Sequence, residues 1–244
     1  MREYLIALTI AALPAFANFA GGVLSEAVRV SQRTLSLALH LATGIVFGVV
    51  GIELMPRALT AEPAWVVILA FVAGGGFFML AEKFIGTIRT RMGADPASAG
   101  PWVIFFGVAV DLFSDGVMIG AGSTLSLSLG LLLALGQVPA DVPEGFATIA
   151  VFKNQGVPRR QRLLLAAGLM IPVFVGTTIG YWAVRGQPEI VSMSLLAFTA
   201  GILVTVVVEE IVPEAHEVEE ARWAVAALVG GFALFALLSV YLGE

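Results

Sequence analysis

Two short stretches of an otherwise apolar chain carry acidic residues at helical spacing. In "DLFSDGVMIG", Asp111 and Asp115 are four positions apart, and in "QVPADVPEGFA", Asp141 and Glu144 are three positions apart. Residues three or four apart share one face of a helix, so each pair projects to one side. Four converging carboxylates would repel one another without a cation, and oxygen ligands in that number suit a divalent ion. The spacing therefore predicts a cation-binding cluster.

The composition places these acids in a membrane protein. Hydrophobic residues make up 59% of the 244 and charged residues only 13%, with a mean hydropathy of +0.96. Since a soluble domain is roughly half apolar and a quarter charged, the chain is predicted to be an integral membrane protein. The 13 basic residues are dispersed and form no stripe with interleaved aromatics, which argues against nucleic-acid binding. The absence of cysteine excludes disulfides and thiolate metal ligands.

Apolar runs of about 20 residues, the length that crosses a hydrocarbon core as a helix, indicate an all-α integral membrane fold. They form one predicted transmembrane domain over residues 1–244. Residues 1–23 lack the basic start and small-residue cleavage site of a signal peptide, so they are interpreted as a retained span. The eight predicted helices cover approximately residues 3–24, 35–57, 64–87, 101–121, 125–152, 161–184, 190–212 and 222–242.

The paired acids lie on the fourth and fifth helices, which are consecutive and therefore antiparallel. An ionised carboxylate at the bilayer centre is costly, so each needs a partner, a water path or a proton. Pro139 and Pro143 of the fifth helix each remove a backbone donor and clash with the carbonyl one turn earlier. We therefore expect kinked central helices with freed carbonyls beside the acids, an arrangement that lines cavities at membrane depth.

Lysine and arginine are distributed unequally between the two sides of the predicted bundle. The odd-numbered loops hold ten of the thirteen, and the opposite side holds Arg2, Arg57 and Arg185. Because basic residues accumulate in cytoplasmic loops, both termini are predicted to lie outside the cytoplasm, with the chain in a cell (inner) membrane. The ten are Arg29, Arg33, Lys83, Arg89, Arg91, Lys153, Arg159, Arg160, Arg162 and Arg222.

Further acids extend from the central cluster toward both sides of the membrane. Glu53 lies near the outer end of the second helix, whereas Glu209 and Glu210 lie toward the inner end of the seventh, followed by His216. Ordered by their predicted depth in the membrane, these residues predict a path for the cation from the outer side to the cytoplasmic side. Since Glu53 is four residues before Arg57, an interfacial ion pair is the alternative to a gate.

Structural alternatives exist for the other candidates. His40, near the cytoplasmic end of the second helix, suits a helix-packing hydrogen-bond donor better than a metal ligand. His216 is juxtamembrane and suits a surface position. The four central acids have the alternative of paired, protonated structural carboxyls.

Four stretches together resemble the ZIP (Zrt/Irt-like) divalent-metal transporters: "DLFSDGVMIG", "DVPEGFA", "GIELMPRAL" and "VVVEEIVPEAH". The family's fourth helix usually reads His-Asn-x-x-Asp/Glu-Gly, and its fifth reads His/Gln-Glu/Asn/Asp-x-Pro-Glu-Gly. On these motifs Asp111 stands at the histidine and Asp115 keeps the acid. Asp141 occupies the second ligand position of the fifth helix and Glu144 keeps its glutamate.

The resemblance covers nearly the whole chain, and its implications concern both fold and function. It implies an eight-helix bundle with both termini outside, in which the first three and last three helices form related halves around the fourth and fifth. It also implies a homodimer that transports divalent metal cations toward the cytoplasm.

Besides Asp111 in place of histidine, the chain departs from the family at three further ligand positions. Leu112 stands where the family has Asn, Ala140 where it has His or Gln, and Ile171, before the proline of the sixth helix, where it often has Glu. The remaining donors are carboxylates, which prefer harder ions than zinc. We therefore expect a divalent metal as substrate and no resident cofactor. Mn²⁺, Fe²⁺, Mg²⁺ and Ca²⁺ become candidates, while Zn²⁺, Co²⁺ and Cd²⁺ are retained.

The sequence raises two alternatives to metal transport. "EEIVPEA" faintly resembles the Glu-Glu-x-x-x-Arg of CAAX-type membrane proteases, but Glu214 stands where Arg is needed and the required downstream histidines are absent. The chain is therefore not expected to be an enzyme. The alternative that stays open is a relative that binds metal as a sensor or scaffold without transporting it, because several family ligands are missing.

Overall fold

The computed structural model describes residues 1–28, 31–91, 96–215 and 223–242. In these ranges the chain forms helices joined by short turns, which confirms the all-α membrane fold. Seven of the described helices have the length and apolar composition of membrane spans; the fifth, which carries Asp141 and Glu144, is not among the seven. The helices, numbered 1 to 8 below, are Arg2–Ala27; Gln32–Gly48 continued by Val49–Leu54 and Met55–Ala58; Ala64–Arg91; Pro96–Leu125; Leu127–Asn154; Arg159–Gly168 with Met170–Val184; Glu189–Val206 continued by Val207–Ile211 and Val212–Ala215; and Ala224–Leu242.

Helices 2 and 7 share an irregularity that hydropathy alone does not reveal. Each changes from α-helical to π-helical geometry shortly before a proline, Pro56 in helix 2 and Pro213 in helix 7. A proline has no N–H to donate and its ring crowds the carbonyl one turn back, so the preceding turn widens. The widened turns carry Glu53 in helix 2, and Glu209 with Glu210 in helix 7.

Helix 5 runs without interruption through Pro139 and Pro143, so the helix is not broken beside the acids. Each proline removes a single donor, and the backbone bonds on either side keep the helix continuous. The predicted bend of the continuous helix at these prolines stays a prediction. The interruption lies in helix 6 instead, where Leu169 separates the two parts three residues before Pro172.

Glycine contacts show that the two ends of the chain repeat one arrangement. Helix 2 approaches helix 8 at Gly44, and helix 3 approaches helix 7 at Gly74; at either glycine a Cβ would lie 1.9 Å from a backbone oxygen of the partner helix. Gly201 of helix 7 and Gly231 of helix 8 make the reciprocal contacts with helices 3 and 2. Gly201 lies 157 residues after Gly44, and Gly231 lies 157 residues after Gly74. Helices 2 and 3 thus correspond to helices 7 and 8, five helices later in the chain, an odd spacing that fits the inverted repeats of transporters.

Helices 4 and 5 are held by helices 6 and 1 in the same manner. A Cβ on Gly145 of helix 5 would lie 2.0 Å from the Asn18 carbonyl oxygen of helix 1, and one on Gly116 of helix 4 would lie 2.1 Å from a carbonyl oxygen of helix 6. Small residues permit this close approach of backbones in a membrane bundle. Because Asp115 and Glu144 directly precede these glycines, the acids lie where four helices converge.

The end of helix 1 is tied to helices 5 and 6 on the side predicted to be cytoplasmic. Arg162 donates to both carboxylate oxygens of Glu26, at 2.5 and 2.6 Å, and to the carbonyl of Val157. Lys153 donates to the carbonyl of Ser25 at 2.7 Å. A bidentate arginine–carboxylate pair combines charge with defined geometry, so these contacts set the positions of the three helix ends around the site.

Candidate functional site

A tight turn between helices 4 and 5 sets the geometry of the site. Helix 4 ends at Leu125, helix 5 begins at Leu127, and the Ser126 hydroxyl between them accepts a hydrogen bond from the Leu129 backbone N–H at 3.1 Å. A serine at this position satisfies a donor that the first turn of a helix leaves unpaired. The two helices therefore form an antiparallel hairpin with a defined register.

Side chains at equal distances from Ser126 meet across the hairpin. Asp115 and Gln137 are both eleven residues from it, and Gln137 Nε2 donates a hydrogen bond to Asp115 Oδ1. Asp111 and Asp141 are both fifteen residues from it and are close enough for their charges to repel. Asp141 and Asp115 repel in the same way. The structure thus brings Asp111, Asp115 and Asp141 together from two helices.

Glu144 lies on the same face of helix 5 as Asp141, about 4.5 Å further along the axis, because a helix rises 1.5 Å per residue. It is buried. By the register of the hairpin its counterpart on helix 4 is Val108 rather than an acid. Glu144 therefore extends the polar face of helix 5 by one turn beyond the three aspartates.

Several oxygens at this site are buried and lack a hydrogen-bond partner among the residues that the structure describes. Asp115 and Asp141 have 0% exposure. Within the described ranges, no hydrogen bond reaches either oxygen of Asp141, Oδ2 of Asp115 or Oε1 of Gln137. Buried polar atoms are normally hydrogen-bonded, and leaving one unpaired is unfavourable. Because an ionised carboxylate and an amide oxygen can only accept, this set of atoms suits water donors or a hard cation.

The aspartates are neighbours but do not form a finished coordination shell. Among the residues that the structure describes, no group of three Asp, Glu or His side chains is arranged to hold a metal ion. The four-carboxylate metal site of Asp111, Asp115, Asp141 and Glu144 stays a prediction, now with a defined order across the hairpin.

Sequence reasoning missed Gln137. It lies four residues before Asp141 and three before Ala140, so it shares the polar face of helix 5. Thr148, also buried, continues this face four residues beyond Glu144. A search for uncharged polar residues at helical spacing from the acids, rather than for charges alone, would have found both.

Glu53 forms the ion pair that was the alternative to a gate. Its carboxylate accepts a hydrogen bond from Arg57 Nε at 2.8 Å and another from the Ser239 hydroxyl of helix 8. The side chain is buried although it lies near a helix end. A role for Glu53 in an outer gate stays a prediction, and any such role must include release of Arg57.

The structure describes the side chains of only some of the remaining candidates. Glu209 is exposed in the π-helical segment of helix 7, while the side chain of Glu210 and all of His216 lie outside the described residues. The Nδ1 atom of His40 is 2.8 Å from the Ser36 carbonyl, a contact consistent with a packing role. Ile171 is 62% exposed, so the position before the proline of helix 6 is not part of the buried interface with helix 4.

Fold and site together define a multi-pass membrane protein that keeps ionisable side chains within its central helices, a feature that marks ion and substrate pathways. The profile of the ZIP Zinc transporter family matches residues 96–239, which is more than half of the chain and includes both acidic motifs. This chain belongs to the ZIP family. The resemblance drawn from the motifs is confirmed, and with it the prediction that the chain is not an enzyme.

Curated relatives match the chain to different extents. It is 27% identical over 265 residues to the zinc transporter ZupT of Chlorobium phaeovibrioides, covering 97% of this chain and 98% of that protein. It is 29% identical to human zinc transporter ZIP6 over 150 residues and to human zinc transporter ZIP4 over 147, which is 57% and 58% of this chain. The chain spans only 20% and 22% of the length of these two human relatives.

Proposed function

We propose that this chain carries divalent metal cations across the membrane past the carboxylates of helices 4 and 5. The observation that supports this most directly is Asp141, which is fully buried, faces Asp111, and has no hydrogen bond to either oxygen within the described residues. A carboxylate at membrane depth requires a partner, a water path, a proton or a cation. Family membership supports the same function, since the relatives named above are zinc transporters.

The donors available at the site favour hard divalent ions. They are carboxylate oxygens together with the amide oxygen of Gln137, and the matched motifs on helices 4 and 5 contain neither histidine nor cysteine. Oxygen ligands suit Mn²⁺, Fe²⁺, Mg²⁺ and Ca²⁺, whereas imidazole and thiolate favour Zn²⁺. Zn²⁺, Co²⁺ and Cd²⁺ stay in the proposal because the curated relatives are named for zinc. The metal is the substrate, and no resident cofactor is proposed.

The proposed orientation follows the distribution of basic residues. With ten of thirteen lysines and arginines on one side, that side faces the cytoplasm and both termini lie outside it. The cation then enters near Glu53, occupies the central acids and leaves past Glu209, Glu210 and His216 toward the cytoplasm. We place the chain in the cell (inner) membrane as a homodimer, as its resemblance to the family implies.

Purified protein in proteoliposomes is expected to accumulate divalent cations, with Mn²⁺ and Fe²⁺ taken up faster than Zn²⁺ because the site offers oxygen donors only. Initial rates for Mn²⁺, Fe²⁺, Co²⁺, Zn²⁺ and Cd²⁺ would be measured in parallel, with protein-free liposomes as the control. A preference for Zn²⁺ over Mn²⁺ would overturn the selectivity argument and leave transport intact.

The same assay separates a carrier from a metal-binding sensor or scaffold. A sensor binds the cation without moving it, so calorimetry would detect binding by protein whose proteoliposomes show no uptake above the protein-free control. That combination would replace the proposed function by the alternative. Membership of a family of transporters does not favour the alternative.

Gln137→Leu is expected to raise the KM for metal uptake by about tenfold, the lower range for losing a group that orients a metal ligand. Leucine cannot donate to Asp115, so one carboxylate oxygen of that buried residue loses its partner. Gln187→Leu, in the exposed turn before helix 7, serves as the control. An unchanged KM in both variants would show that the Gln137 contact does not orient Asp115 for binding.

A further inference from the structure

Asn18 of helix 1 carries a buried side-chain amide. Its exposure is 1%, and within the described residues neither its Oδ1 nor its Nδ2 has a partner. In lipid no bulk water replaces a missing partner, so such a group is unfavourable where it only packs. Ser25, two turns further along the same face, behaves ordinarily, since its hydroxyl donates to the Gly22 carbonyl at 2.8 Å.

The position of Asn18 is set by the closest approach of helices 1 and 5. A Cβ on Gly145 would lie 2.0 Å from the Asn18 carbonyl oxygen and 3.1 Å from its Cα, so the two backbones are in contact. Gly145 directly follows Glu144 and lies one helical turn after Asp141. The backbone of Asn18 therefore packs against helix 5 one turn beyond Asp141, whose oxygens likewise have no hydrogen bond in the described part of the chain.

We infer that Asn18 is a further ligand for the transported cation, contributing an uncharged oxygen directly or through a water of the metal's hydration shell. This inference rests on the proposed function. Amide oxygens are ordinary ligands of hard divalent ions, and a neutral one adds a donor without adding to the repulsion among Asp111, Asp115 and Asp141. Helix 1 thereby contributes to a site that the motifs assign to helices 4 and 5 alone.

A ligand and a packing residue respond oppositely to Asn18→Leu. Leucine is similar in size and removes the unpaired amide, so the metal-free variant is expected to melt at the same temperature as the wild type or above it. Its uptake of Mn²⁺ and Zn²⁺ is nevertheless expected to fall at least about fivefold, with a smaller metal-induced rise in melting temperature. Asn18→Asp, which keeps an oxygen at the same reach, should retain the metal-induced rise.

The full-length protein in detergent and in proteoliposomes gives both readouts, with Ser25→Ala as the matched control on helix 1. A lower melting temperature for Asn18→Leu, with uptake reduced only in proportion to the folded fraction, would overturn the inference in favour of packing. Wild-type uptake by Asn18→Leu would overturn it as well. If the wild type itself shows neither uptake nor a metal-induced rise, the proposed function fails first and the inference falls with it.

Discussion

Asp141→Asn is expected to abolish metal uptake while leaving the protein folded. Asparagine has nearly the shape of aspartate but no charge, so it cannot offset a divalent cation at this depth in the membrane. Loss of a residue that merely orients a ligand costs 10- to 100-fold, so loss of the carboxylate itself should lower the uptake rate at least about 100-fold. Asp141 is the test position because both of its oxygens are buried without a hydrogen bond inside the described ranges.

The stability of this variant distinguishes a binding role from a structural one. Asp141 repels Asp111 and Asp115, so removing its charge relieves repulsion, and the metal-free melting temperature should stay unchanged or rise. Glu189→Gln, an exposed acid at the start of helix 7, provides the matched control for loss of one carboxylate. Equal uptake by Asp141→Asn and Glu189→Gln would remove helix 5 from the site.

Gly74→Ala is expected to cause a large loss of stability through a single methyl group. The added Cβ would lie 1.9 Å from the Phe198 carbonyl oxygen and 2.8 Å from the carbonyl carbon. Helices 3 and 7 would therefore have to move apart. Overpacking usually costs about 1–3 kcal/mol, and a clash with backbone belongs at the upper end. For a chain of this size the melting temperature should fall by about 5 °C or more.

Gly76→Ala is the matched control, two residues away on the same helix. A Cβ at Gly76 meets nothing within 4 Å, and alanine favours a helix over glycine by about 1 kcal/mol. This variant should melt at the wild-type temperature or slightly above it, measured by thermal unfolding of the detergent-solubilised protein. Equal behaviour of the two variants would contradict the close packing of helices 3 and 7.

The positions of the helices were largely predictable because the bilayer imposes one length and one composition. The predicted third span, 64–87, begins with the observed helix Ala64–Arg91, and the predicted fourth, 101–121, lies inside Pro96–Leu125. Both observed helices are longer than predicted, because backbone hydrogen bonds continue each helix beyond its apolar residues. The π-helical turns before Pro56 and Pro213 were not predicted, because hydropathy does not indicate which carbonyl oxygen accepts a hydrogen bond from each backbone N–H.

The candidate site was predictable one helix at a time. The spacing of Asp111 and Asp115 defines a face of helix 4, and that of Asp141 and Glu144 defines a face of helix 5. Which residues meet depends on the turn at Ser126, which places Asp111 opposite Asp141 and Gln137 opposite Asp115. Glu144 lies on the predicted face of helix 5, one turn beyond Asp141.

The amino-acid sequence by itself determined that this is an all-α membrane protein of the ZIP family, with acids on two consecutive helices. These properties follow from local composition and from the 3.6-residue period of a helix. Only the tertiary structure decided that Glu53 bonds to Ser239, 186 residues away, and that Asn18 lies against Gly145. Such contacts depend on how closely two backbones can approach, which glycines on both helices determine together and neither segment determines alone.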